Sequence, residues 1–317
     1  MSIHKPIAFL FPGQASQGVG FGKEIYDNFS VAKECFIEAS DALGIDMYKL
    51  CFEGTEDNLT KTANAQPAIL TISIATFRAL SQEVRVTPSI MGMAGHSLGE
   101  YSALVAADAI SFGDAVKIVR ERGLAMQEAA DTSGDCAMAA VIGLSSEQVN
   151  YICLEASTPI FIVQPANFNS PKQIVISGHK VAVERACELV KEEGGRSKIL
   201  KVSAPFHCFL MTSAAFKLKD VLKGYVFKHP TTKVFRNIDA VPYHSVKGIA
   251  DALVMQVTSP VIWDKTINIM RRFGAEKFFV LCPSKVIVGL MKQIDKSIPV
   301  YGIDDLNSLK EAIKQLE

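Results

Sequence analysis

The stretch Ser89-Ile90-Met91-Gly92-Met93-Ala94-Gly95-His96-Ser97-Leu98-Gly99-Glu100 decides how this chain folds. Ser89 to Ala94 is a short apolar run that stops at glycine, and it reads as a buried strand. Glu100 to Ala107 is rich in helix formers, so the order is strand, sharp turn, helix. A serine between two glycines at such a turn can hold its hydroxyl clear of the backbone. Glycine tolerates the strained turn and leaves room for neighbouring strands. The first N–H groups of the helix, that of Leu98 among them, are unpaired donors able to stabilise an oxyanion. The pentapeptide alone also fits a plain structural turn.

Toward the N-terminus, Ile7 to Phe11 is a second continuous apolar run, ended by Pro12-Gly13 and followed by the polar loop Gln14 to Gly18. Between the two runs, apolar residues recur at helical spacing from Val31 to Leu43 and from Ala68 to Leu80. Strands alternating with helices predict a mainly parallel sheet covered on both faces. Past Asp131-Thr132-Ser133-Gly134 the pattern changes. Ala137 to Ile142 reads as a strand, Ser146 to Ala156 as a helix, Phe161 to Ala166 and Gln173 to Ser177 as strands, Val181 to Glu193 as a helix and Ser197 to Val202 as a strand. That βαββαβ order is a complete ferredoxin-like unit. The expected fold is therefore α/β: a large α/β-hydrolase-like domain of residues 1–130 and 204–317, with an inserted ferredoxin-like subdomain at 131–203. A strand from Lys277 to Leu281 and helices near Val286 to Ile294 and Leu306 to Leu316 complete the large domain.

Composition narrows the function. The 317 residues carry 33 Lys+Arg against 33 Asp+Glu, which gives no electrostatic footprint for nucleic acid. Seven cysteines lie scattered with no C-x-x-C pair, so neither zinc nor a redox centre is expected, and reduced thiols in a cytoplasmic protein are. The apolar run near the N-terminus is too short for a signal segment, and none of the chain is expected to span a membrane.

A serine hydroxyl is a weak nucleophile near neutral pH and needs a base, for which the six histidines are the first candidates. His207, in Ser203-Ala204-Pro205-Phe206-His207-Cys208, sits where the chain re-enters the large domain and could line the cleft. A buried, hydrogen-bonded structural histidine is the other reading. Arg122 poses a sharper conflict. Ala115, Ile118, Val119, Ala125 and Met126 mark an apolar stripe at helical spacing, and Arg122 falls within it. No carboxylate of its own helix is placed to pair with it. An incoming carboxylate would satisfy the planar fork with two parallel hydrogen bonds; a long-range salt bridge or a snorkelling side chain would also explain it.

Taken together, Phe11-Pro12-Gly13-Gln14-Ala15-Ser16-Gln17, Ala65-Gln66-Pro67-Ala68, Gly95 to Tyr101, Arg122-Gly123, Ala166-Asn167-Phe168-Asn169-Ser170-Pro171, Ala204 to Cys208 and Gln256-Val257-Thr258-Ser259-Pro260 before Trp263 resemble the malonyl-CoA:acyl carrier protein transacylases and the related acyltransferase domains of fatty acid and polyketide synthases. The resemblance covers essentially the whole chain. It implies Ser97 as the acylated nucleophile, His207 as general base and acid, and Arg122 as the clamp on the malonyl carboxylate. Gln14 matches the glutamine that helps form the oxyanion hole beside the Leu98 N–H. Gln256 matches the residue whose backbone carbonyl orients the histidine, so no acidic third member is needed. Gln66 corresponds to a glutamine near the active site, and Phe206 to a position where a bulky ring goes with malonyl rather than methyl-branched substrates. No metal or redox cofactor is implied; the partners are malonyl-CoA and an acyl carrier protein, and a monomer is expected.

One departure concerns Cys282-Pro283-Ser284, where the family commonly has Gly-Pro-Gly. Cys and Ser occupy positive φ less readily than Gly, so the loop there is expected to differ. Rival readings are a discrete acyltransferase of a polyketide synthase, a serine thioesterase or esterase, and a catalytically silent scaffold.

Overall fold

The structure, a computed structural model, describes residues 6–14, 16–84, 90–200, 202 and 204–317. In chain order the first part holds β1 (Ile7–Phe11), α1 (Lys23–Asn28), α2 (Ser30–Leu43), α3 (Glu56–Thr60), α4 (Thr62–Glu83), β2 (Ile90–Gly95), α5 (Gly99–Ala106) and α6 (Phe112–Thr132). Next come β3 (Cys136–Ile142), α7 (Ser146–Ala156), β4 (Val163–Ser170), β5 (Gln173–His179), α8 (Lys180–Glu192) and β6 (Arg196–Ile199). The remainder is α9 (Thr212–Leu222), β7 (Val234–Phe235), α10 (Lys247–Thr258), α11 (Trp263–Arg272), β8 (Lys277–Val280), α12 (Lys285–Ile294), β9 (Val300–Gly302) and α13 (Leu306–Leu316).

Strands β7-β2-β1-β8-β9 form one sheet whose neighbours all run parallel. Every residue of β1 is buried, which explains an apolar run without alternation: parallel strands covered by helices meet core on both faces. Ile7, Phe9 and Phe11 face one core with α2, α4 and α6, whereas Ala8 and Leu10 face a second with Trp263, Phe278 and Val280. The second sheet, β4-β5-β3-β6, is antiparallel with α7 and α8 packed on it, and its strand order is that of a ferredoxin-like unit.

The expected α/β architecture is present, with corrections to several boundaries. Helix α4 starts at Thr62 rather than at Ala68, so Pro67 lies inside it. A proline there removes the bond to the carbonyl of Ala63. Arg120 of α6 donates to that carbonyl instead, at 2.8 Å, and the helix runs through. Strand β4 runs from Val163 to Ser170, not from Phe161 to Ala166, because two register shifts let it continue past Pro165 and Phe168. Strand β6 is an exposed edge of four residues, shorter than the expected Ser197 to Val202. Ser89, Lys201, Ser203, Ala15 and His4, which fall on sequence-based expectations, lie outside the described residues. Among the described residues no helix is long and apolar enough to cross a membrane.

The sheets are stitched together next to β2. Strand β4 exchanges backbone bonds with Val261, through Phe168 N–H to Val261 O at 2.8 Å and Val261 N–H to Ala166 O at 2.9 Å. Ser170 Oγ also donates to Gln293 Oε1 of α12 at 3.0 Å.

Candidate active site

The carboxyl ends of β1 and β2 lie side by side, Phe11 in register with Gly95, and the chain turns sharply after each. This is the edge of an open parallel sheet at which ligands bind. Here glycine is obligatory: a Cβ on Gly95 would sit 1.8 Å from the Gly99 carbonyl carbon, and one on Gly99 would sit 2.2 Å from the Phe11 oxygen. Between them Ser97 takes φ 51°, left-handed backbone that a residue with a side chain adopts only at a cost. The turn leaves the Gly99, Glu100 and Tyr101 N–H groups bonded to His96, Ser97 and Leu98 carbonyls, while the Leu98 N–H meets no acceptor among the described residues.

Ser97 Oγ is 2.8 Å from His207 Nε2, and His207 Nδ1 is 2.9 Å from the backbone oxygen of Gln256. A carbonyl only accepts, so Nδ1 carries the proton and Nε2 presents its lone pair to the serine hydroxyl. His207 is buried and also left-handed, at φ 60°. Burial, then the positive charge of Arg122, pushes its pKa down to about 3, so the imidazole is neutral at ordinary pH.

Arg122 is 2 % exposed on the buried stripe of α6, with Ala115, Ile118, Val119, Ala125 and Met126 all buried around it. It neither snorkels nor forms a salt bridge among the described residues. Nη1 donates to Gln66 Oε1 at 2.8 Å; Nη2 donates to Gln256 Oε1 at 3.0 Å and to Ser97 Oγ at 3.2 Å. Its Nε and the neighbouring Tyr101 hydroxyl are buried together, near enough for the guanidinium to act on the phenol but outside good hydrogen-bond geometry. The site thus brings together a serine hydroxyl, a neutral imidazole and a buried guanidinium, groups with the chemistry of a nucleophile, a base and an anion clamp.

Gln66 and Gln14 differ in what they reach. Gln66 touches Arg122 directly, whereas the Gln14 side chain donates to Thr62 Oγ1 at 3.2 Å. Phe206, beside His207, packs against both the large core and the cluster of Met138, Ala140, Ala166 and Val175. His96 turns away from the nucleophile: Nε2 donates to Asn169 Oδ1 at 2.9 Å and the ring lies 5.4 Å from that of Trp263.

Comparison with known proteins agrees with this geometry. Residues 8–279 match the model of the acyl transferase domain family. The malonyl CoA-acyl carrier protein transacylase of Salmonella typhimurium is 43% identical over 309 residues, covering 97% of this chain and 99% of that protein. The chain belongs to the malonyl-CoA:acyl carrier protein transacylase family. Among solved structures, the transacylase of Clostridium perfringens superposes with a TM-score of 0.93 at 43% identity, covering 98% of this chain and 97% of that one. A malonyl-transacylase in complex with a type II PKS acyl-carrier protein superposes equally well, with a TM-score of 0.93 at 41% identity over 98% of this chain and 99% of that one.

Relative to this transacylase frame, sequence reasoning overlooked a layer beneath Ser97. Asn237 is fully buried; its Oδ1 accepts the Ser97 N–H at 2.6 Å and its Nδ2 donates to Gly95 O at 2.7 Å. Glu100 and Tyr243 lie beneath it, and Asn169 holds His96. A signal existed for Glu100 alone: Tyr101 to Val105 is apolar or small all round, so the helix is buried and its one carboxylate needs partners. At the family departure, Ser284 takes right-handed backbone, φ −88°, and its N–H and hydroxyl both donate to Asp304, at 2.7 and 2.6 Å. Positive φ is not required there, so the serine fits without strain.

Proposed function

We propose that the chain transfers the malonyl group of malonyl-CoA to the phosphopantetheine thiol of an acyl carrier protein in fatty acid biosynthesis. The observation that carries this reading is Arg122: a buried guanidinium with no carboxylate in salt-bridge contact among the described residues, its Nη2 3.2 Å from Ser97 Oγ. A free carboxylate at the far end of the acyl group supplies the missing partner, and an uncharged acyl group does not.

His207 Nε2 takes the Ser97 proton as Oγ attacks the thioester carbonyl. The oxyanion forms against the Leu98 N–H and the Gln14 backbone N–H, since the Gln14 side chain is engaged by Thr62. Collapse expels the coenzyme A thiol, which leaves with the proton from His207, and a malonyl-serine ester remains. The carrier thiol gives its proton to His207 and attacks that ester by the reverse path, regenerating the Ser97 hydroxyl. The carboxylate of the bound malonyl group neutralises Arg122, and that relieves part of the depression of His207 and strengthens the base when substrate is in place. Gln256 takes the part usually given to an acidic residue, holding the imidazole through its backbone oxygen. No metal or redox cofactor enters these steps.

Ser97, His207, Arg122 and Gln256 all come from one chain, so a single chain holds the complete site. The seven cysteines are free thiols, in keeping with a reducing cytoplasm. The large catalytic domain is read as 1–130 and 204–317 with the insert at 131–203; the antiparallel sheet and its two helices, within residues 136–199, support that division. Initial velocities with malonyl-CoA and a holo carrier protein both varied should give parallel double-reciprocal lines. Intersecting lines, or steady release of free malonate without carrier, would instead indicate a ternary mechanism or a hydrolase.

A further inference from the structure

Ser97 is held in strained backbone by the side-chain amides of Asn237 and Gln256, and both residues are tied to one carboxylate, Asn237 through its backbone N–H and Gln256 through its side chain. Asn237 Oδ1 takes the Ser97 N–H, and Gln256 Nε2 donates to the Ser97 oxygen at 3.0 Å. Behind them Glu100, 1 % exposed and in the first turn of α5, accepts from Gln256 Nε2 at 2.7 Å and from the Asn237 N–H at 3.1 Å on Oε2, and from the Tyr243 hydroxyl at 2.5 Å on Oε1. Gln256 therefore spans the site, its oxygen on the Arg122 guanidinium and its NH2 on the Glu100 carboxylate. An amide has one accepting and one donating end. With a carboxylate on one side and a guanidinium on the other, only one orientation of Gln256 satisfies both.

We propose that Glu100 is a positioning residue for acyl transfer: its carboxylate, acting through Gln256 and Asn237, locks the Ser97 backbone and completes a guanidinium–amide–carboxylate relay that balances the charge of Arg122. The proposal rests on the serine-transfer reading above. Charge at both ends polarises the Gln256 amide and strengthens its hold on the Ser97 oxygen. In the empty site the relay gives the buried Arg122 a counter-charge without a direct ion pair, so the guanidinium stays available to a substrate carboxylate.

The groups facing Glu100 are Arg122 from α6, Asn237 and Tyr243 from the segment after β7, Gln256 from α10 and Tyr101 from its own helix; Arg236 acts on Tyr243, and His96 and Arg122 act on His207. Of these, Arg236 is paired with Asp239. Burial pushes Glu100 up to about 7, opposed by the bonds from Tyr243, Gln256 and Asn237 and by Arg122. His207 titrates far lower, so loss of the Glu100 charge is what should limit acylation on the acid side of neutrality.

The test is the single-turnover rate of Ser97 acylation by malonyl-CoA from pH 6 to pH 8.5, in wild type, Glu100→Gln and Tyr243→Phe, each checked for folding by circular dichroism. Wild type should rise through a midpoint near pH 7. Glu100→Gln mimics the protonated acid and should be flat, about tenfold below the wild-type plateau, with the half-saturating malonyl-CoA concentration little changed. Tyr243→Phe removes a donor from the carboxylate and should move the midpoint to higher pH. If Glu100→Gln is poorly folded, the Tyr243→Phe shift decides. A Glu100→Gln enzyme with the wild-type rate and profile, or a Tyr243→Phe midpoint that stays in place, overturns the proposal. Absence of any acyl-enzyme in wild type would instead sink the transfer reading beneath it.

Discussion

Ser97 and His207 face each other from left-handed backbone, at φ 51° and 60°, which costs each on the order of 1–3 kcal/mol. The strain is sustained because every polar backbone atom of Ser97 is occupied: N–H by Asn237, oxygen by Gln256 and the Glu100 N–H. Ser97, His207 and Arg122 could be picked out of the sequence because each violates a local expectation: a serine at a glycine turn, a histidine at a re-entry point, a cation in an apolar stripe. Asn237 could not, since a polar residue in Arg236-Asn237-Ile238-Asp239 reads as surface, and only the long-range fold brings it beneath β2. Replacing Arg122 with Ala should lower malonyl acylation about 10²–10³-fold while acetyl acylation falls far less, as read by acyl-enzyme formation with each thioester. Equal losses would remove Arg122 from substrate recognition. His207 also makes stability depend on pH. It is neutral in the fold down to about pH 3, whereas the unfolded side chain binds its proton near 6.5, so its contribution is complete above 6.5 and is lost as pH falls toward 3. Urea melts at pH 7 and pH 5 should therefore show wild type losing about 2 kcal/mol more than His207→Gln over that interval.

Elements with strong local signals stand where the sequence puts them. Helix α7 spans Ser146–Ala156 as read, because the Ser145–Gln148 capping box marks its start. Helix α4 does not, because nothing local reveals that Arg120, distant in sequence, takes the carbonyl that Pro67 leaves free. The same crossing carries the site: a Cβ on Gly123, next to Arg122, would lie 2.7 Å from the Ala63 Cα. Gly123→Ala should push α6 away from α4, cost about 1–3 kcal/mol by thermal or urea melts, and slow malonyl acylation by displacing the guanidinium. A variant as stable and as active as wild type would show that the helices do not need this close approach.

At the scale of the molecule, the site lies where the parallel sheet meets strand β4 of the antiparallel one. Sequence pattern reveals both units, since hydrophobic periodicity is local, but not the stitching between them through Val261, Gln293 and the His96–Asn169 bond. Asn169→Ala leaves His96 without its acceptor beside Trp263 and should cost about 1–3 kcal/mol in melts while leaving Ser97 able to acylate. Unchanged stability would mean that this bond does not help join the sheets. The central claim is that Ser97 carries the acyl group between two thiols. Intact-mass analysis after mixing the protein with malonyl-CoA tests it directly: wild type should gain the mass of one malonyl group, Ser97→Ala should gain none, and adding a holo carrier protein should return the enzyme to its free mass while the carrier gains the increment. Acylation of the Ser97→Ala variant, or a wild-type adduct that holo carrier protein cannot discharge, would contradict the account.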